Sequence, residues 1–218
     1  MKLLDEIHKY LKDLGCQEET IQFFDSSSVY VAQEIALYAH RNQWRLNGSN
    51  YYSHPCRVLQ KYRDFVGIKE DDYFCLNIDL LVEECEIPYH GVQEVCLLHD
   101  VLEDTEITME QIEEVFHDLS IGTFFTMYIK NALSLITHDK SEGYVLYIKK
   151  LLRCPTASLV KFMDLADNMD PSTLNVLENK ETERLCKYAQ YAKMINDKWR
   201  FLENREKYFN LYKSKINN

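Results

Sequence analysis

The scarcity of glycine and proline is the feature that most limits the folds open to this chain. Among 218 residues there are six glycines and four prolines, the residues that most often interrupt helices and mark turns. Between them, apolar residues recur every three or four positions, which is the spacing of one helix face. The stretch before Gly15 contains Leu3, Leu4, Ile7, Tyr10 and Leu11. These patterns predict an all-α protein, a single helical bundle with additional helices at the N- and C-termini.

Local signals suggest where several helices begin. The serines at 26–28 can supply an N-cap for a helix running to Ala39, because serine side chains accept hydrogen bonds from the first helical N–H groups. Thr108 and Gln111 have the spacing of a capping box. Pro88 favours the start of a helix that continues through residue 104.

The length is sufficient to bury one substantial core. We expect three parts, which are an N-terminal helical extension (1–27), the main domain (28–205) and a C-terminal helical tail (206–218). The segment 69–89, with a helix predicted over 79–86, is either a flap over a cleft or an interface element. Aromatic residues along 182–211 favour packing against the body and also leave a homodimer contact open.

Charge and cysteine content narrow the class of partners. The formal net charge of −10 argues against general nucleic-acid binding, which needs a basic face to neutralise phosphates. No apolar run approaches the roughly 18 residues of a membrane span. The seven cysteines contain no CxxC pair, and the acidic N-terminus is unlike a targeting peptide. We therefore expect a cytoplasmic protein without nucleic-acid or membrane partners.

The stretch from Leu97 to Thr105 carries the strongest chemical signal. It contains His99, Asp100, Glu103 and Asp104 directly after an apolar run. On a helix, His99 and Glu103 are one turn apart, as are Asp100 and Asp104. Burying such groups beside apolar residues is costly unless a cation or substrate compensates them. Taken by itself, the stretch could also be the solvated acidic end of a buried helix.

Matching metal ligands occur on either side of this stretch. His54 lies upstream and Asp164 downstream, which gives the order H…HD…D. Two imidazoles and two carboxylates leave positions open on an octahedral ion such as Mn²⁺. Open positions are what water and a phosphate oxygen require. The sequence therefore predicts a metal site formed by His54, His99, Asp100 and Asp164, for Mn²⁺ or another divalent metal.

The flanking residues extend this order into a longer pattern. It comprises YYSHPCRV at 51–58, LHDVLEDT at 98–105, LIT at 135–137 and VKFMDLADN at 160–168. The pattern resembles the HD-domain metal-dependent phosphohydrolases, and in particular the hydrolase domain of RelA/SpoT-type enzymes and the small alarmone hydrolases. The resemblance covers about residues 28–205 and implies a single HD-domain bundle. Those enzymes remove the 3′-pyrophosphate of ppGpp and pppGpp in the stringent response. Because only about fifty residues follow the last motif, we do not expect the synthetase activity that bifunctional relatives carry in a further domain.

The resemblance also implies roles for individual residues. Glu103 and Asp104 would orient the attacking water and accept its proton. Arg45 would contact the nucleotide base, and Asn168 the sugar or a phosphate. Ser53 stands where relatives often have asparagine, and Asp167 where they usually have an apolar or aromatic residue. Further candidate substrate-binding residues near the motifs are the bases Lys140 and Lys161, whereas Arg41 and Arg57 are interpreted as solvated surface charges.

Two other functions remain open on the sequence alone. The first is an HD-type phosphatase that acts on another nucleotide, such as NADPH or a nucleoside monophosphate. The second is a catalytically silent binding or regulatory module that senses a nucleotide. The Glu103–Asp104 pair favours the alarmone class over other nucleotide phosphatases, and the presence of all the expected ligands argues against a silent module. The preferred function is therefore an alarmone hydrolase that converts ppGpp or pppGpp to GDP or GTP and pyrophosphate.

Overall fold

The computed structural model describes residues 2–45, 48–67, 88–170 and 179–216. Within these ranges the secondary structure consists of helices joined by turns and loops, with one antiparallel bridge between Trp44 and Asn50. The first helices are α1 (Leu3–Asp13), α2 (Glu18–Asp25), α3 (Ser28–Ala39) and α4 (Ser53–Val66). The middle of the chain forms α5 (Val92–Leu98), α6 (Val101–Asp104), α7 (Met109–Asp118) and α8 (Gly122–Phe124).

A π-helical turn, Phe125–Ile129, joins α8 to α9 (Lys130–Ile136). The last helices are α10 (Tyr144–Leu151), α11 (Pro155–Asn168), α12 (Asn179–Trp199) and α13 (Phe201–Ile216). The predicted all-α class is thus confirmed. In the part of the chain described here, none of these helices combines the length and apolar composition needed to cross a membrane.

Helix α5 lies at the centre of the bundle. It packs against α3, α4 and α11, and its last four residues, Val95 to Leu98, have no exposed surface. Their burial removes apolar area from water, which is the main favourable contribution to folding. Because His99 follows this run directly, the packing of α5 fixes where the first motif residues lie.

The helix through the motif differs from the sequence prediction in two ways. It begins at Val92 rather than at Pro88, because Gly91 adopts φ +74° and a Cβ there would lie 2.7 Å from the carbonyl oxygen of Tyr128. Glycine accepts this conformation and close approach without strain. The helix also breaks at His99 and Asp100, which form a turn between α5 and α6.

The predicted caps have different outcomes. The capping box is confirmed, since Thr108 accepts from the N–H of Gln111, whose side chain accepts from the N–H of Thr108. Helix α3 begins within the serine run as expected, but no serine side chain caps it. Ser26 instead donates to the carbonyl of Phe23, and Ser28 donates to Glu94 on α5.

The C-terminal helices pack on the body, as the apolar spacing predicts. Helix α12 runs along α11, and the indole N–H of Trp199 donates to the buried Ser158 hydroxyl at 3.0 Å. Arg200, with φ +52°, separates α12 from α13. Tyr147 is buried, as predicted for a core residue. Nearly all of the segment 69–89, including the helix predicted over 79–86, lies outside the described residues.

Candidate metal centre

Four side chains converge where α4, α5, α6 and α11 meet. His54 is the second residue of α4, and Asp164 lies in α11. His54 Nε2 lies 3.1 Å from Asp164 Oδ1 and 3.5 Å from Asp100 Oδ2. His99 Nε2 lies 3.2 Å from Asp100 Oδ1 and 3.8 Å from Asp164 Oδ1. The structure therefore brings together His54, His99, Asp100 and Asp164, called the central group below.

Hydrogen bonds fix which nitrogen of each imidazole faces the group. His54 Nδ1 lies 2.8 Å from Asp167 Oδ2, and His99 Nδ1 lies 2.8 Å from the carbonyl oxygen of Cys96. Both partners are acceptors, so each ring carries a proton on Nδ1 and turns Nε2 inwards, where loss of the Nε2 proton frees a lone pair for a metal ion. His99 Nε2 is buried and has no hydrogen-bond partner. An inward lone pair beside carboxylates fits a metal ion that accepts nitrogen and oxygen ligands.

Charge in the central group is strongly coupled. Burial by itself raises the pKa of Asp100 and of Asp164, but the charges of His99 and Lys161 outweigh it and hold both pKa values well below their usual range. Burial lowers the pKa of His54, yet hydrogen bonds to Asp164 and Asp167 raise it to about 9. A cation at this point competes with the imidazole protons. Because their pKa values are lowered, the carboxylates of Asp100 and Asp164 are ionised and can bind a metal cation.

Other side chains hold the two carboxylates in place. Lys161 Nζ donates to Asp164 Oδ2 and Asn168 Nδ2 donates to Asp164 Oδ1, both at 2.6 Å. The Tyr51 hydroxyl donates to Asp100 Oδ2 at 2.8 Å. Lys161 and Asn168, predicted to bind substrate, thus contact Asp164 directly. Tyr51 was not singled out from the sequence, although it opens the first motif three residues before His54.

Asp167 is the functional residue that sequence reasoning left without a role. Its side chain is wholly buried and accepts from His54 Nδ1. Arg57 donates to it through Nε at 3.0 Å to Oδ1 and through Nη2 at 3.0 Å to Oδ2. The interpretation of Arg57 as a solvated surface charge is wrong, because it neutralises this carboxylate. Metal-binding histidines commonly donate to such an acceptor, which orients the ring.

The second acidic pair lies at the edge of the central group. Glu103 is half-buried and its Oε2 accepts from the backbone N–H of His138 at 3.2 Å. Asp104 is exposed and its Oδ2 accepts from the Tyr51 hydroxyl at 3.1 Å. The same hydroxyl donates to Asp100, so Tyr51 links a member of the central group to a carboxylate that water can reach.

The remaining predicted substrate-binding residues lie in two places. Arg45 Nη1 is buried, makes no hydrogen bond and lies 4.0 Å from Asp167 Oδ2. Ser53 Oγ accepts from Arg57 Nη1 at 3.2 Å. Arg45 and Ser53 therefore lie next to Asp167 and Arg57, the two residues that hold the His54 ring in place. Lys140 is exposed in the loop between α9 and α10 and is not brought to the central group by any described contact.

A basic and aromatic cavity opens beside α10 and α12. Its volume is about 420 Å³, and it is lined by Tyr144, Lys180, Glu183, Arg184, Lys187, Tyr188 and Tyr191. Tyr144 contacts Tyr147 edge to face at 5.2 Å between ring centroids, and Lys161 Nζ lies 5.8 Å from the centroid of the Tyr147 ring. Tyr147 and Lys161 therefore lie between Tyr144 in this cavity and Asp164 in the central group. From the sequence, the α12 residues are expected to pack against the body or to form a homodimer contact, and no cavity is predicted there.

Comparison with known proteins gives relatives of one kind. A scan against protein-family profiles finds no match. A guanosine-3′,5′-bis(diphosphate) 3′-pyrophosphohydrolase MESH1 of Drosophila melanogaster is 30% identical over 122 residues, covering 56% of this chain and 65% of the relative. The protein of the same name from Danio rerio is 26% identical over 175 residues, covering 78% and 84%. A probable guanosine-3′,5′-bis(diphosphate) 3′-pyrophosphohydrolase of Synechocystis is 27% identical over 168 residues.

The extent of these matches differs between relatives. The chain spans 19% of the length of the Synechocystis protein and 65% of the Drosophila protein. A solved structure described as a metazoan ortholog of SpoT that hydrolyzes ppGpp aligns with a TM-score of 0.55 at 24% identity, covering 86% of this chain and 96% of that one. The resemblance stated from the motifs is thereby confirmed: this chain has the fold of that SpoT ortholog and is similar in sequence to ppGpp 3′-pyrophosphohydrolases.

Proposed function

We propose that this protein is a metal-dependent hydrolase that removes the 3′-pyrophosphate of ppGpp and pppGpp, leaving GDP or GTP. The observation that carries the proposal is the central group, in which two imidazole Nε2 atoms and two carboxylates face one point. The names of the relatives support the substrate. The four residues of the group would hold the ion, for which Mn²⁺ is our first choice.

The chemistry divides between the ion and the chain's own residues. A bound divalent ion supplies Lewis acidity, which lowers the pKa of water and offsets phosphate charge. Glu103 orients the attacking water and accepts its proton, while Asp104 is held by Tyr51 at the solvent edge. The water oxygen bonds to the phosphorus next to the ribose, the bond from that phosphorus to O3′ breaks, and O3′ takes up a proton. Pyrophosphate then leaves.

Binding of so anionic a substrate requires a local reversal of the net charge of −10. Lys161 lies within the site, and Arg45 stands beside it with a buried Nη1 free of hydrogen bonds. Three further cations line the α12 cavity together with three tyrosines. Guanidinium groups and aromatic rings can both stack on a purine. We propose that Arg45 binds the guanine base of the substrate and that Lys161 and Asn168 bind its phosphates.

The setting of this activity is part of the proposal. All five cysteines of the described chain are free thiols, which suits a reducing compartment, and we place the protein in the cytoplasm. We assign the hydrolase domain to residues 28–205, with 1–27 as an extension. The predicted boundary at 205–206 falls inside α13.

The test is incubation of Mn²⁺-loaded protein with ppGpp, pppGpp and NADPH, with the products separated by chromatography. We expect pyrophosphate and GDP or GTP from the first two. Orthophosphate from NADPH alone would instead identify a phosphatase, and binding without turnover would identify a silent module.

Asp100→Ala is the first variant to examine, because it removes one proposed ligand. We expect loss of both bound Mn²⁺, measured by elemental analysis, and turnover. Asp13→Ala, at the exposed last residue of α1, is the control and should retain both. Stoichiometric Mn²⁺ in Asp100→Ala would show that the ligand assignment is wrong.

A further inference from the structure

A second group of ligand-type side chains lies among the N-terminal helices. His8 lies on α1, Asp25 ends α2 and Glu34 lies on α3, and these three helices pack against one another. His8 Nε2 is 3.1 Å from Asp25 Oδ1. One donor atom from each residue lies within 4.8 Å of the other two. None of the three belongs to the motifs or to the central group.

Glu34 is the member whose surroundings need an explanation. The residue is 5% exposed, and its Oε1 is buried without any hydrogen-bond partner. Burial, with a smaller contribution from the Asp25 carboxylate, raises the pKa of Glu34 to about 8. A buried carboxylate without a partner is costly. The hydrogen bond between His8 and Asp25 gives those two side chains a partner, but Glu34 Oε1 beside them has none.

We propose that His8, Asp25 and Glu34 bind a divalent transition-metal ion of the Zn²⁺ class. One imidazole and two carboxylates are ligands that Zn²⁺ accepts at about 2.0–2.2 Å. In the structure the three donor atoms lie within 4.8 Å of one another. Donor atoms around one such ion lie roughly 3–4.3 Å apart, so binding would draw the three side chains closer together. The charge of the ion compensates the buried carboxylate of Glu34.

The exposure of the other two ligands indicates the kind of site. The side chains of His8 and Asp25 are 25% and 18% exposed, so an ion can enter from solvent and water can complete its coordination. Because the ligands come from three helices, the ion joins the predicted extension (1–27) to α3 of the main domain. A site of this kind contributes to folding rather than to hydrolysis.

The test measures Zn²⁺ binding to the full-length protein after stripping with a chelator. The wild type should bind about two equivalents of Zn²⁺, one at each group, and Glu34→Gln about one. Asp100→Ala should keep about one, and the double variant should keep none. Glu19→Gln, at an exposed position of α2, is the matched control and should behave as the wild type.

A second measurement separates binding from any change in fold. Zn²⁺ should raise the Tm of Asp100→Ala and of Asp100→Ala/Glu19→Gln, but not of Asp100→Ala/Glu34→Gln. His8→Gln, at a partly exposed position, should have the same effect as Glu34→Gln. Equal Zn²⁺ stoichiometry and equal Tm shifts with and without Glu34→Gln would overturn the proposal. No step here uses ppGpp, so failure of the proposed hydrolysis would leave this result unaffected.

Discussion

The central group and the N-terminal group, which is formed by His8, Asp25 and Glu34, contain the same kinds of side chain. They differ in the hydrogen bonds that hold those side chains in place. In the central group His54 donates to Asp167, His99 to Cys96, and the carboxylates accept from Tyr51, Lys161 and Asn168. In the N-terminal group the described contacts join only His8 and Asp25. Ligands held by further partners keep their geometry during a reaction. The difference teaches that supporting contacts, rather than ligand type, separate a site built for chemistry from one suited to joining helices.

The largest effect expected from a single change that leaves both groups intact is at Glu103. Glu103→Gln keeps the size of the side chain but removes the proton acceptor at the edge of the central group. We expect turnover of ppGpp to fall about 10²–10⁴-fold with Mn²⁺ content unchanged. The measurements are kcat with ppGpp and elemental analysis of the same preparation. An unchanged kcat would remove Glu103 from the mechanism and leave the central group without its assigned base.

Asp167 tests the comparison most directly, because it supports a ligand without facing the ion. Asp167→Asn replaces the acceptor of His54 Nδ1–H and leaves Arg57 without its carboxylate. We expect Mn²⁺ affinity to fall about 10–100-fold, measured by titration at fixed pH.

The control for this change is Asp64→Asn. Asp64 is exposed on α4, the helix that carries His54, and accepts a hydrogen bond from Gln60 Nε2 at 2.9 Å. We expect its Mn²⁺ affinity to match that of the wild type. If both variants bind Mn²⁺ like the wild type, the hydrogen bonds that hold the ligand side chains are not what distinguishes the two groups.

Arg45 should give a smaller and more selective effect. Its guanidinium is proposed to stack on the base, so it contributes mainly to binding. Arg45→Ala should raise KM for ppGpp about tenfold, with less change in kcat, and should matter less for a phosphorylated substrate without a purine. Steady-state kinetics with the two substrates decide this. An equal rise in KM for both substrates would mean that Arg45 recognises the phosphate charge rather than the base. Its guanidinium already lies 4.0 Å from another anionic group, the carboxylate of Asp167.

The sequence predicts that the four residues of the central group lie together, because they occur in short, ordered motifs. His99 and Asp100 follow the apolar run of α5, and burial of that run carries them to the centre. The support of His54 is less readable. Arg57 and Asp167 each lie three residues after a ligand, which puts them on the ligand's face of a helix, but nothing local says that the two helices bring them together.

Other features depend on contacts between distant parts of the chain. The start of α5 is set by the approach of Gly91 to Tyr128, so Pro88 is a misleading signal. Ser28 does not cap α3 because Glu94 offers it a partner 66 residues away. His8, Asp25 and Glu34 come from three helices without a shared motif, and only the packing of α1, α2 and α3 reveals their proximity.

The smallest expected effect concerns Glu94, a second buried glutamate that sharpens the contrast with Glu34. Glu94 accepts from the Ser28 hydroxyl at 2.5 Å, but burial outweighs this bond and raises the pKa of Glu94 above its ordinary 4.5. The folded protein therefore holds this proton more tightly than the unfolded chain. The resulting stability is complete below about pH 4.5 and is lost as the pH rises through the folded-state pKa.

Glu94→Gln removes that dependence, since glutamine stays neutral and can still accept from Ser28. Between pH 5 and pH 8 the free energy of unfolding of the wild type should fall relative to the variant, by on the order of 1 kcal/mol. Urea denaturation of both proteins in a chelator measures the difference, in which the titration of the shared metal ligands cancels. Glu19→Gln is again the exposed control and should track the wild type. A difference that stays constant with pH would mean that the Ser28 hydroxyl keeps Glu94 ionised, in contrast to Glu34, whose Oε1 has no hydrogen-bond donor and whose pKa burial raises to about 8.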